Sequence, residues 1–450
     1  MIPPAELAAI RFGMGLPVTG PSDAASLLAG LSGPDPMLAA YPGPTGDQAT
    51  AFRVRFDEVN ARARKESAGA ATEARKEIRR ERRVEQFASA RRTLARAVDA
   101  PSGFRERLAR FWVDHFTVVA KSGYGALYPA AFADEAIRPH TGGRFADMLR
   151  AATLHPAMLD YLDQAQSVGP NSKNGRRRAR GLNENLAREV IELHTLGVGA
   201  TYAQADVTQM AELLTGLTLS KTGFVFRPEM AEPGAETVLG VTYAGEGVEP
   251  ILAVLDDIAT RPDTAAHIAR KLAVHFVSDT PDAGMVQAMT STFTDTGGDL
   301  PTVYRAMLDH PAAWDPGLAK ARQPFDVIVA ALRALDIDGA AVSGISDGNF
   351  RRAVYDPMAS MGQPWQSPRG PDGWPEAAEA WITPQLLAAR VTWAMEAPNR
   401  LLRDLPEPAL VVARALGSAP DERVAWAAAR AETRAEGLGV IFASPMFNRR

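Results

Sequence analysis

Apolar residues recur along most of this chain at the 3.6-residue spacing of amphipathic helices, and glycine and proline clusters interrupt that spacing at short intervals. Only Gly223–Arg227 and Thr237–Val241 have strand-like composition, and they predict a small β-hairpin near residues 223–241. No fixed-period repeat and no interior linker divides the pattern. We therefore predict a mainly α fold, a large single-domain, multi-helical bundle that spans residues 1–450.

The predicted helix Asn183–Leu196 has an apolar face and a charged face. With successive residues placed 100° apart, one narrow sector holds Leu182, Leu186, Val190 and Leu193. The opposite face carries charges of alternating sign four residues apart, which are Glu184, Arg188 and Glu192. We expect the apolar sector to be core, together with Phe111 and Leu272, and we expect the charged face to be mainly structural.

The same segment also contains signals for the end of one helix and the start of the next. Gly197 is suited to the left-handed position that follows a helix. Thr201 and Gln204 have the spacing of a capping box, which predicts that a second helix, Tyr202–Thr215, begins there.

Glu189 and two histidines are the candidate catalytic residues. Glu189 lies beside the apolar sector, so its carboxylate requires a cation, hydrogen-bond donors or a raised pKa. His194 lies in the last turn of the same helix, and His115 shares the apolar face of the predicted helix Phe104–Val119. Two interpretations stay open. The histidines are satisfied core residues, or they form with Glu189 and Asp114 a site for a divalent metal such as zinc, iron or manganese. The spacing matches no helical metal-ligand pair, so no cofactor is required.

Two loops contain candidate binding residues. Residues 361–381 collect three of the seven tryptophans, and there Trp365, Trp374 and Gln363 either stack on a sugar or peptide or form an ordered cover over helix ends. Residues 168–181 form a basic loop, which either binds an anion or is solvated. The predicted helix Asn183–Leu196 is hereafter called the signature helix. On it, Arg188, Glu192 and Asn185 are further candidates for ligand binding.

Composition excludes several classes of function. The 450-residue chain has a net charge of −4 and lacks interleaved basic and aromatic residues, so nucleic-acid binding is not expected. It has no cysteine, which removes thiolate nucleophiles, Cys-ligated zinc and iron–sulfur clusters. Neither a signal peptide nor a membrane span is predicted, so we expect a soluble protein that is either cytoplasmic or exported together with a partner.

Several motifs resemble those of the bacterial family called domain of unknown function 1800. The resemblance rests on Arg11–Gly13, Phe111–Phe116, His155–Asp163, Ser167–Asn171, the segment Leu182–Thr218, Lys271–Val277, Gly362–Pro364 and Asp372–Pro375. It implies a helical fold but no agreed activity. Many relatives have a His-Asp pair after the strand-like segment, where this chain has Glu229, and this departure weakens the metal hypothesis. Relatives are often encoded beside a sulfatase-like family with a twin-arginine export signal, which implies a partner protein and export.

Two functions are compatible with these observations. The first is an accessory or binding protein that acts with a sulfatase-like partner on an envelope polymer or sugar. The alternative is a metal- or carboxylate-dependent enzyme, a hydrolase among others, centred on Glu189, His194 and His115. In either case we expect His115 to be buried with at least one ring nitrogen hydrogen-bonded.

Overall fold

Helices dominate the computed structural model, which describes residues 2–64, 68–121, 123–177 and 181–450. Helix accounts for 61% and strand for 5% of the structure, so the predicted mainly α fold is confirmed. None of the helices in these four ranges is long and apolar enough to cross a bilayer.

The first half of the chain forms eleven α-helices in the described ranges. They are α1 (Pro4–Arg11), α2 (Ala24–Ala29), α3 (Pro36–Ala40), α4 (Gly46–Ala63), α5 (Ala68–Asp99), α6 (Phe104–His115), α7 (Tyr128–Phe132), α8 (Phe145–Leu154), α9 (Pro156–Tyr161), α10 (Asn185–Glu189) and α11 (Gln204–Leu213). Short 3₁₀ turns occupy Gly123–Gly125, Arg138–His140 and Gln164–Gln166.

The second half continues with helices after a short region of strands. They are α12 (Glu249–Ala259), α13 (Pro262–Phe276), α14 (Ala283–Thr296), α15 (Leu300–Asp309), α16 (Pro324–Ala334), α17 (Gly339–Gly344), α18 (Asp347–Phe350), α19 (Asp356–Ser360), α20 (Pro384–Glu396), α21 (Pro398–Leu401), α22 (Pro408–Leu416), α23 (Glu422–Ala429) and α24 (Arg434–Ala443). Here 3₁₀ turns occupy Pro228–Met230, Pro311–Trp314 and Ala378–Ala380.

The strands form two hairpins instead of the single one that the sequence predicts. β1 (Leu217–Ser220) pairs with β2 (Gly223–Phe226), and β3 (Ala235–Val238) pairs with β4 (Val241–Ala244), both antiparallel. The predicted pairing of Gly223–Arg227 with Thr237–Val241 is therefore wrong. Each of these segments pairs with its neighbour in the chain because a two-residue turn joins antiparallel strands at the lowest loop cost.

Most of the buried apolar side chains belong to two large hydrophobic cores. The first core is built mainly from α6 to α15, and the second from the end of α5 and from α16 to α24. A buried ion pair links them, because Arg107 of α6 donates to Asp326 of α16 at 2.9 Å. Nearby arginines hold the pKa of Asp326 well below its usual range despite its burial. That residues 1–450 form a single domain stays a prediction.

A π-helical turn changes which side of the signature helix faces the core. α10 continues into a π-helical segment at Val190–Thr195, and similar segments occupy Ala133–Ile137 and Arg351–Tyr355. A π turn holds more residues than an α turn, so the side chains within it rotate away from the α-helical phase. Leu186, Val190, Phe111 and Leu272 are core as predicted, but Leu193 is only half-buried, and His194 is turned inward.

The start of the following helix also differs from its prediction. Ala203, not Thr201, is the residue at the N-cap of α11. The carboxylate of Asp206 accepts the Ala203 N–H at 2.8 Å and the Leu239 N–H at 2.7 Å. Asp206 therefore stabilises the helix start and also fixes the β3–β4 turn against it. Gly197 adopts the predicted left-handed conformation, with φ of 91°.

The π-helical turn generates a testable difference between two leucines. Leu186→Ala should lower the free energy of unfolding by ~2–5 kcal/mol, because it leaves a cavity around a fully buried position. Leu193→Ala, the matched control, should cost clearly less, because the side chain is half-buried. Urea denaturation measures both values. Equal costs would contradict the rotated phase.

Candidate functional site

Asp114 marks the side of α6 that faces away from the first core. Its neighbours Phe111, Trp112 and His115 are buried in that core, and the Trp112 indole donates to the Tyr304 hydroxyl at 2.7 Å. The Asp114 carboxylate instead accepts the backbone N–H of Trp374 at 2.9 and 3.2 Å. This contact attaches residues 361–381, hereafter the Trp-rich segment, to α6.

Gly373 allows this close approach. Its φ is 82°, and a Cβ placed on it would lie 2.7 Å from the Asp114 carbonyl oxygen and 2.8 Å from the Asp114 Cγ. Any side chain at position 373 would therefore strain the backbone and collide with α6. The Asp372–Pro375 motif thus has a clear structural requirement for glycine.

Further hydrogen bonds hold the Trp-rich segment in place. Gln363 accepts the Phe325 N–H at 2.9 Å and donates to Gln323 at 2.8 Å, so its amide already has partners. The buried Trp381 donates to the Pro375 carbonyl at 2.8 Å. These contacts agree with an ordered cover, and they leave Trp365 and Trp374 as the tryptophans available to a ligand.

Glu376 of the same segment orients His275 of α13. The His275 Nδ1 lies 2.6 Å from the Glu376 Oε1, and because a carboxylate only accepts, Nδ1 carries the proton. Lys320 lies 3.1 Å from the other Glu376 oxygen. Burial lowers the pKa of His275 to about 4, against the opposing effect of Glu376. His275 is therefore neutral near pH 7, and its Nε2 is a hydrogen-bond acceptor.

A cavity of about 130 Å³ lies between α6, α16 and the Trp-rich segment. Its walls include Arg110, Asp114, His275, Phe325, Trp365 and Trp374. One water requires ~10–15 Å³ by this measure, so the cavity accommodates several waters or a small ligand.

Two buried polar atoms, on residues that line the cavity, have no hydrogen-bond partner among the described residues. They are the Nε1 of Trp365, a donor, and the Nε2 of His275, an acceptor. The Trp365 ring stacks on Phe325, with centroids 6.3 Å apart. A buried polar group without a partner costs ~1–3 kcal/mol, so a molecule inside the cavity that bonds these two atoms would gain that energy.

The cavity wall contains an acid, Asp114, and a cation, Arg110. Burial raises the pKa of Asp114 to about 7, the Trp374 N–H opposes this, and Glu376 adds to it. Asp114 is therefore partly protonated near neutral pH. The Arg110 guanidinium lies 3.6 Å from the centre of the Phe325 ring, a cation–π contact, and 3.9 Å from Asp326.

Lys271 lies on α13, one turn before His275, and is half-buried. No carboxylate in the described ranges forms an ion pair with it. Burial lowers its pKa, and the carboxylates of Asp114, Glu376 and Asp372 act in the opposite direction. Lys271 therefore lies among the carboxylates beside the cavity without contacting any of them directly.

Glu189 faces Tyr161 and Asp372 and not the histidines. Its Oε2 is buried and has no hydrogen-bond partner, and no arginine or lysine of the described residues forms an ion pair with it. Burial raises the pKa of Glu189 to about 7, with contributions from Glu192 and Asp372, while Arg188 opposes the shift. Burial raises the pKa of Tyr161, and Glu189 and Asp372 add to the rise.

His115 and His194 lie together in the first core. The His115 Nε2 is 3.1 Å from the His194 carbonyl oxygen, and the two rings are 6.1 Å apart. The predicted burial and hydrogen bonding of His115 are thus confirmed. Burial lowers the pKa of His115 well below its ordinary value and that of His194 to about 3, so both are neutral. Within the part of the chain that is described, no three histidines or carboxylates are placed to hold a metal ion.

The remaining candidate residues lie on the outer face of the signature helix. Arg188 pairs with Glu184 at 3.2 Å and with Glu192 at 3.1 Å, which is the predicted ladder. Asn185 is exposed at the start of α10. In the basic loop 168–181, residues 178–180, which include Arg178 and Arg180, lie outside the described ranges.

Comparison with known proteins identifies the family. The profile described as protein of unknown function (DUF1800) matches residues 22–449, nearly the whole chain. The chain belongs to this family. No curated protein and no solved structure matches it.

In this DUF1800 protein, four of the eight motifs that carry the resemblance contribute residues to the cavity wall. Asp114 comes from Phe111–Phe116, and His275 comes from Lys271–Val277. Gln363 and Trp374 come from the two short motifs of the Trp-rich segment. Segments far apart in the sequence thus supply the walls of one site.

Two residues of this site, His275 and Glu376, are not singled out by the sequence. His275 lies beside Leu272 and Phe276, a position typical of a core histidine. Its partner Glu376 is 101 residues away in a loop, so no local spacing links the two. Asp114 was considered only as a metal ligand. The proximity of Asp372-Gly-Trp-Pro to α6 is a tertiary contact that no pattern along the chain contains.

Gly373→Ala should lower the free energy of unfolding of the DUF1800 protein by about 1–3 kcal/mol, because a left-handed residue with a side chain is strained and here also meets Asp114. Gly344→Ala is the control, since a Cβ there meets open space. Thermal denaturation followed by tryptophan fluorescence measures both. Equal midpoints for the two variants would contradict the docking of the Trp-rich segment.

Glu189→Gln should stabilise the protein, and the gain should depend on pH. The folded pKa of about 7 exceeds the ordinary value of 4.5, so wild-type stability falls as pH rises through that window. Allowing for solvent screening of a half-buried group, the variant should gain about 1–2 kcal/mol at pH 7.5 and much less at pH 5. Urea denaturation at the two pH values measures this. If Glu189→Gln is less stable than wild type at pH 7.5, a cation must hold the Glu189 carboxylate and the prediction is contradicted. Glu192→Gln is the contrasting variant, because it loses an ion pair to Arg188 and gains no such stability.

Proposed function

We propose that this protein is a binding protein whose ligand, a sugar unit of an envelope polymer, enters the cavity beneath the Trp-rich segment. The observation that carries the proposal is the buried Trp365 Nε1 in the cavity wall, an N–H donor without a partner among the described residues. A sugar hydroxyl is an acceptor suited to that donor.

The chemistry of the cavity walls supports a carbohydrate. Trp365 and Trp374 provide apolar aromatic faces, and the C–H face of a sugar ring packs on such surfaces. Asp114 and the His275 Nε2 provide acceptors for hydroxyl groups. An apolar pocket with a few polar groups that fix orientation is the usual composition of a small-molecule site.

The size of the cavity limits what enters it. Its volume of about 130 Å³ is below the ~300–1,000 Å³ of sites for drug-sized ligands. We therefore propose that one ring or a short side group of a polymer enters, while the rest of the polymer stays outside. In this proposal the protein acts as an accessory to a sulfatase-like partner in the cell envelope, and that part rests on the family resemblance alone.

A second candidate function is a carboxylate-dependent enzyme centred on Glu189, and the unpaired Oε2 of that residue favours it. His115 and His194 are buried in the first core, so in this alternative they would act by supporting the helix and not by contacting substrate. Metal analysis of the purified protein tests the metal-dependent form. Stoichiometric metal that is lost in Glu189→Gln would support it.

Trp365→Phe tests the binding proposal, because it retains an aromatic face and removes the Nε1 donor. Isothermal titration with N-acetylglucosamine oligomers, and with malto-oligosaccharides as a second probe, should show about tenfold weaker binding than wild type, a loss of ~1–2 kcal/mol. Trp426→Phe is the control, because Trp426 is 61% exposed and is not part of the cavity wall. No binding of either probe to wild type, or equal binding by Trp365→Phe, would contradict the proposal.

A further inference from the structure

The histidine in the cavity wall has the arrangement of an activated base. Glu376 accepts the Nδ1–H of His275 at 2.6 Å and so fixes the ring and its tautomer. The opposite nitrogen, Nε2, is buried, has no hydrogen-bond partner among the described residues, and belongs to a residue of the cavity wall. A carboxylate–imidazole pair with a free Nε2 is the arrangement that proton abstraction requires.

The geometry points to Glu376 and His275 as a general-base dyad that activates water to hydrolyse an ester of the ligand in the cavity. This inference rests on the proposed binding function and deepens it by assigning a substrate class, O-acylated carbohydrate. It goes beyond the enzyme alternative centred on Glu189, because the reacting groups are different.

Water is the nucleophile because the described residues of the cavity wall offer no free hydroxyl. Of the threonines in the walls, Thr117 donates to the Asp114 carbonyl at 2.5 Å and Thr93 to the Ser89 carbonyl at 3.0 Å. The chain has no cysteine. An acyl-enzyme intermediate on these side chains is therefore not part of the proposal.

The reaction balances with groups that the cavity contains. The His275 Nε2 accepts a proton from water as the water oxygen bonds to the ester carbonyl carbon. The Trp365 Nε1–H donates to the developing oxyanion. The carbon–oxygen bond to the sugar then breaks, and the protonated Asp114 carboxyl gives its proton to the departing sugar oxygen. A carboxylic acid and an alcohol leave, and the proton on His275 returns to Asp114 through solvent.

The charges around His275 and Asp114 set the pH range in which the proposed hydrolysis takes place. Glu376 raises the pKa of His275, while burial, Arg450 and Arg107 lower it, to about 4. Asp114 faces the Trp374 N–H, Glu376, Lys271 and Arg110, and its pKa is about 7. His275 is thus neutral and able to accept a proton above about pH 4, and Asp114 is protonated and able to donate one below about pH 7. The dependence of kcat/KM on pH should be bell-shaped between these values.

The experiment measures acetate release and ligand binding separately on the full chain. The probes are 4-nitrophenyl acetate and O-acetylated N-acetylglucosamine oligomers for hydrolysis, and the unacetylated oligomers for binding. His275→Gln should lower kcat/KM at least about 100-fold, and it should weaken binding of the unacetylated oligomers far less, by up to about tenfold, because only one hydrogen-bond acceptor is replaced. His267→Gln is the control on the same helix, because His267 contacts the Leu193 carbonyl and not the cavity. It should retain activity.

Two further variants separate chemistry from folding. Glu376→Gln should lower kcat/KM. Asp114→Asn should abolish most of the activity, and the activity that remains should no longer decline above about pH 7. Binding of the unacetylated oligomers without acetate release by wild type would overturn the dyad and leave the binding function standing. Absence of both would overturn both. Full activity of a folded His275→Gln would also refute the dyad.

Discussion

The arrangement of the site depends on one contact, the acceptance of the Trp374 N–H by the Asp114 carboxylate. That contact brings a loop between α19 and α20 onto α6, and Gly373 makes the approach sterically possible. Once the loop is docked, Glu376 reaches His275, and the side chains of the Trp-rich segment close one wall of the cavity. The same contact opposes the rise in the pKa of Asp114 that burial causes, so docking of the loop and the acidity of the cavity have a common origin.

Buried charge is distributed unevenly in this structure. Where the two cores meet, Asp326 is surrounded by arginines, and its charge is fully compensated. Asp114, in the wall of the same cavity, and Glu189 have no cation in direct contact among the described residues, and the Trp365 donor and the His275 acceptor have no partner there either. Strongly perturbed groups concentrated beside a cavity are typical of functional sites, whereas compensated ones are typical of structural ion pairs.

Much of the fold was predictable from the sequence because it depends on local periodicity. The mainly helical class and the burial of Leu186 and Val190 follow from the apolar spacing. Leu193 was misplaced because a π-helical turn inserts extra residues, and no propensity signals it. The site was predictable only in parts. Trp365 and Trp374 were recognised by their chemistry, while the pairing of His275 with Glu376 depends on how a distant loop packs, which periodicity does not encode.

The cavity lies at the seam between the two hydrophobic cores, and this position has a mechanical consequence. His275 and Asp114 are carried by helices of the first core, whereas Phe325 and Trp365 belong to the second. A ligand that bonds to both sides would tie the two cores together at this point. A bound ligand would therefore make the boundary between the two cores more rigid. Any movement of one core relative to the other would change the distance between the His275 base and the Trp365 donor before it disturbed the packing of either core.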